Sequence, residues 1–90
     1  MKLWLLRPVD DNSAAWDPWY DKAFGFVVRA ATEEEARRLA NTEGGDEKGP
    51  ARTDVYRTGG DPWLDPKQST CIELTGDGEA EVIFRDFSAA

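Results

Sequence analysis

The chain has 90 residues, 18 acidic against 11 basic, no histidine and one cysteine, for a formal net charge of −7. That length amounts to one domain, and the charge disfavours direct contact with nucleic acid or an anionic membrane, because the basic residues are scattered and form no patch. A chain without histidine lacks the commonest general base, the commonest metal ligand and every Ser–His or Cys–His pair, and a single cysteine cannot close an intrachain disulfide.

Residues 3–9, LWLLRPV, are a near-continuous apolar run. At this length they are predicted to be a strand, apolar on both faces and therefore central in a sheet. Leu3 and Leu5 point one way, Trp4 and Leu6 the other. A turn-rich loop, 10–23, follows. Residues 24–31 are predicted as a second strand, with Phe24, Phe26, Val28 and Ala30 on one face and the smaller, partly polar Gly25, Val27 and Arg29 on the other. A helix comes next. Thr32 is its N-cap and Glu35 completes a capping box. Ala36, Leu39 and Ala40 make a narrow stripe for close approach to a sheet, and Gly44-Gly45 ends the helix.

Residues 43–69 form a long polar segment. TDVYRT, 53–58, is expected to be a short edge strand, and DPWLDP, 61–66, a rigid turn. The last pair of strands is predicted at 70–74 and 80–87. Placing Ile72 and Leu74 on the same face as Val82 and Phe84 selects Gly76-Asp77-Gly78 as a three-residue loop. Ile72 then faces Val82, Leu74 faces Ala80, Glu73 stands against Glu81 and Cys71 against Ile83. The expected architecture is a single α+β domain over 1–90, β-β-α-(β)-β-β. It is a small antiparallel β-sheet of four to five strands with one helix packed on one face.

Nothing in this pattern carries a reaction. Ser13, Ser69 and Ser88 have no evident activator, and Cys71 reads as a half-buried small apolar residue. The carboxylates at Asp10-Asp11, Asp46-Glu47 and GDGE, 76–79, lack the alternation of a calcium loop, and no glycine motif matches a phosphate cradle. The expectation is a non-enzymatic protein with no cofactor and no metal.

Two features point to binding. Asp17-Pro18-Trp19 recurs as Asp61-Pro62-Trp63, and each Asp-Pro turn presents its indole in a set direction. If Trp4 faces away from the helix, Trp16, Trp19 and Trp63 can cover that side of the sheet as a second small core. Alternatively Trp16, Trp19, Tyr20 and Trp63 form an anchoring surface for a partner, with Trp16 or Trp63 outside. The second feature is acidic. Glu73 and Glu81 are like charges placed opposite one another, which destabilises a sheet, and Asp77, Glu79 and Asp86 extend the same negative region. Either these are solvated, with Arg85 as partial relief, or they await the basic surface of another protein. The N-terminal apolar run is too short for a signal peptide and no segment reaches membrane-span length, so a cytoplasmic location is expected.

The runs MKLWLLRPV, PWYDKAFGFVVRAATEEEARRLA, WLDP and STCIELTGDGEAEVIFRDF resemble a family of small proteins encoded in bacteriophage and prophage genomes, over nearly the whole chain. The resemblance brings no catalytic residues. Small phage proteins of this size include inhibitors of host defence such as anti-CRISPR proteins, several of which are acidic α+β modules that bind basic nucleic-acid-handling surfaces. By that analogy the chain is expected to dock its acidic and aromatic surface on a basic host or phage protein, in the host cytoplasm. Two other readings stay open: a small-ligand or nucleotide binder with a Trp-lined slot, and a structural homodimer.

Overall fold

The computed structural model describes residues 1–17, 19, 21–48 and 60–87. Among them are three strands, one α-helix and a 3-10 turn: β1 (Lys2–Pro8), β2 (Phe26–Ala30), α1 (Glu33–Thr42), the turn Pro62–Leu64 and β3 (Ser69–Leu74). The strands form one antiparallel sheet in the order β2-β1-β3, so the run that is apolar on both faces does lie in the centre. The α+β class and the single helix on one face agree with the sequence.

The strand count is lower than expected. Residues 80–87 are described and belong to no strand. The segment 53–58, expected as an edge strand, lies outside the described residues. The expected pairing of Glu73 with Glu81 is therefore not formed. Glu73 instead stands beside Trp4 on β1 and forms an ion pair with Lys2 at 3.4 Å.

Register decides which face is buried. Trp4 pairs with Val28 and Leu6 with Phe26 across β1–β2, and Leu6 pairs with Cys71 across β1–β3. These side chains share the face against which Ala36 and Ala40 of α1 pack, and with Trp16, Ala30 and Trp63 they make one core. Trp4 thus faces the helix, and its indole donates to the Ala30 carbonyl at 3.0 Å. The expectation of a second core of tryptophans on the opposite face is corrected: Trp16 and Trp63 join the first core. A ten-residue helix whose buried stripe is two alanines is too thin to cover a sheet face alone, and the indoles fill the remaining volume.

The helix begins as expected. Thr32 Oγ1 accepts from the Glu35 amide at 3.2 Å, and Glu35 Oε1 accepts from the Ala31 amide at 3.3 Å. Its buried stripe differs. Ala36, Arg37 and Ala40 face inward, whereas Leu39, expected inside, is exposed. The helix is rolled so that the Arg37 guanidinium reaches inward. Its Nη1 donates to the Trp63 carbonyl at 3.1 Å and to Ser69 Oγ at 2.8 Å, its Nη2 donates to the Ser69 carbonyl at 3.1 Å, and its Nε donates to Glu33 at 2.9 Å. One buried cation thereby ties α1 to the 3-10 turn and to the start of β3. Satisfying those carbonyls outweighs burying one leucine more.

The segment after the helix crosses the loop before β2 at Gly45, where a Cβ would collide with the Asp21 carbonyl oxygen. That crossing delivers Glu47 into the core. Its Oε1 accepts from the Ala23 amide at 2.7 Å and from the Trp63 indole at 3.3 Å.

Candidate binding surface

The residues singled out in the sequence separate into two groups. Trp16 and Trp63 are buried side by side, ring centroids 4.6 Å apart at 66°, and Phe26 meets Trp63 edge-on at 4.9 Å. Edge-to-face packing of this kind fills space and leaves no slot between the rings. These two indoles fasten loops to the sheet, so their expected role as exposed partner anchors is corrected. Trp19 is half-buried, and its indole donates to the Ala15 carbonyl at 3.1 Å. Tyr20 lies outside the described residues.

The acidic group is on the surface. Glu73 sits at the end of β3, and Asp77, Glu79 and Glu81 follow on an exposed arm that also carries Asp86. The arm starts at the Thr75–Gly78 bend, where Gly78 has φ +133°, a conformation open to glycine and strained for other residues. A Cβ at Gly76 or Gly78 would meet nothing within 4 Å, so the bend stands clear of the body. The arm returns to the sheet at Phe84, whose ring lies under the Arg7 guanidinium, 4.8 Å from its centroid. Arg7 Nε has no hydrogen-bond acceptor among the described residues.

The sequence reading missed the surface between these points. Leu3, Leu5, Val27, Ile72 and Leu74 share the sheet face turned away from α1, as the pairs Leu5–Val27 and Leu5–Ile72 require. Leu5, in the middle, is 9% exposed, while Val27 and Ile72 on either side are 58% and 56% exposed. The arm adds Val82 and Phe84, also exposed. The signal was present: β1 is apolar at both alternating sets of positions and β3 at Ile72 and Leu74, and one helix covers one face only.

The chemistry of the remaining groups is quiet. Burial pushes the Cys71 thiol above its ordinary range and Glu33 adds to this, against the opposing pull of the Arg37 charge. It stays protonated and weakly nucleophilic at neutral pH. Among the described residues no group of three or more Cys, Asp or Glu is gathered to hold a metal ion. No helix among them is long and apolar enough to cross a membrane. No family model, curated protein or solved structure matches the chain.

Proposed function

We propose that this protein is a non-enzymatic binding module, phage- or prophage-encoded, that docks on the basic surface of another protein. The docking surface is the helix-free face of the sheet together with the acidic arm. The observation that carries this reading is the adjacency of a sheet face exposed at the apolar Leu3, Val27 and Ile72, and edged by Arg7 and Arg29, to an arm bearing Asp77, Glu79, Glu81 and Asp86.

Size and charge narrow the partner. Three strands about 4.8 Å apart and five residues long present roughly 240 Å². A stable interface covers about 800 Å² per partner, so the face alone is too small and the arm must contribute. Residues 80–87, as a fourth strand on the open edge of β3, would enlarge that face by roughly 130 Å². A second copy of a chain carrying −7 would be repelled at the same arm, whereas an apolar patch ringed by Lys and Arg complements both parts. A basic surface on a nucleic-acid-handling defence complex has that composition.

The test is capture from bacterial lysate by three tagged forms: the natural chain, Val27→Asp/Ile72→Asp and Glu79→Lys/Glu81→Lys. All four positions are exposed, so both variants leave the core intact. The expected result is one basic protein held by the natural chain, released at high salt and lost with either variant. Capture that survives both variants would sink the reading.

A further inference from the structure

We propose that residues 80–87 are a fourth strand held off the edge of β3 by the like charges of Glu73 and Glu81, and that a cation placed between those carboxylates closes it. The cation would come from the partner, and in that respect the inference rests on the reading above.

The segment AEVIFRDF alternates as a strand does and is rich in strand-forming residues, yet it makes no ladder. Val82, Ile83, Phe84 and Phe87 are all left exposed. One point of it already touches the sheet, at Arg7. Thr70 pairs with Arg7, so a strand with Ile72 opposite Val82 sets Phe84 beside Thr70, one strand away from Arg7 and on the same face. The contact of Arg7 with Phe84 is compatible with this register. The glycines of the bend supply the hinge.

What the register also requires is Glu81 directly opposite Glu73. Asp77 and Glu79 stand near the same end and add to the repulsion. Lys2 neutralises Glu73 only in part, being 3.4 Å away with both side chains about half exposed. An edge strand of this length is marginal by itself, so a repulsion of this size is enough to decide whether it pairs. A Lys or Arg side chain reaching both carboxylates would turn the repulsion into a bridge. Binding would then close the strand and enlarge the apolar face in one step.

The lone thiol gives a direct readout. In the closed register Cys71 lies opposite residue 83, at a Cα separation of about 5.5 Å, within the span of a disulfide. The measurement is the rate of cross-linking between Cys71 and the thiol introduced by Ile83→Cys, using a neutral disulfide oxidant at mildly alkaline pH. Ile83 and Glu81 are exposed, so the variants leave the core intact. Adding Glu81→Gln is expected to speed cross-linking about two- to fivefold, the effect of removing one like-charge cross-strand pair. Raising salt should speed the Glu81 form towards the same rate and leave the Gln variant unchanged. Equal rates with and without Glu81→Gln would overturn the charge gate, and equally fast cross-linking from Val82→Cys would overturn the register. An oligolysine peptide is expected to accelerate the Glu81 form; no acceleration would refute the assignment of the closing cation to a basic partner, independently of the gate.

Discussion

At the scale of single residues, Arg37 does what no apolar side chain at its place could do. The loop joining the 3-10 turn to β3 buries the carbonyls of Trp63 and Ser69 beneath the helix, and the guanidinium satisfies both. Ser69 Oγ, which accepts from the same guanidinium, also donates to the Pro62 carbonyl at 2.8 Å. Arg37→Met keeps the volume but removes the donors to the Ser69 carbonyl and Oγ and leaves the Trp63 carbonyl only the Ser69 hydroxyl at 3.3 Å, so it should cost about 3 kcal/mol in urea unfolding. Its neighbour offers the control. Arg38 makes an exposed pair with Glu34 at 2.9 Å, and Arg38→Met should cost about 0.3–0.5 kcal/mol. A similar loss from both would show that the buried network contributes little.

At the scale of elements, α1 depends on its ends more than on its apolar stripe. It is ten residues long, which is marginal for a helix in water, and only two alanines and the stem of Arg37 pack inward. The cap therefore carries a larger share of its stability than in a longer helix. Thr32→Ala removes the acceptor for the Glu35 amide and is expected to lower stability by about 1 kcal/mol in thermal or urea unfolding monitored by circular dichroism. Thr42→Ala, a position where the hydroxyl only donates to the Arg38 carbonyl, should change it little. The strands show the opposite balance. β1 is held on both sides by ladders, whereas β3 has one partner among the described residues, and its other edge is where 80–87 would add.

At the scale of the whole molecule, one sheet is asked to serve two faces with one helix. The face under α1 is closed by three tryptophans and the Arg37 network; the other is exposed at Leu3, Val27 and Ile72. An apolar face of this kind promotes association, while a charge of −7 opposes it between identical chains. The expected balance is a monomer at low ionic strength, with self-association growing as salt screens the arm. Sedimentation velocity across a salt series measures this. A dimer that persists at low salt would favour the homodimer reading over a basic partner.

The sequence by itself determined the parts governed by local rules. The central strand followed from its two-faced apolar run, the helix start from Thr32 and Glu35 and the turn from its Asp-Pro pairs. These depend on φ and ψ preferences and on hydrogen bonds within a few residues, so they are legible one segment at a time. Only the tertiary structure decided which face of β1 meets the helix, and with it the place of Trp16 and Trp63. That choice rests on volume: the face bearing Trp4, Leu6, Phe26 and Val28 needs more filling than two alanines provide, and the indoles are the residues large enough to supply it. Arg37 was not legible as a core residue, because a charged side chain is buried only where a distant loop presents carbonyls to it. The pairing of 80–87 was read from alternation and the GDG turn, and the opposition of Glu73 to Glu81 was legible in that register; that the segment forms no ladder was not, because edge pairing depends on tertiary contacts that no single segment shows.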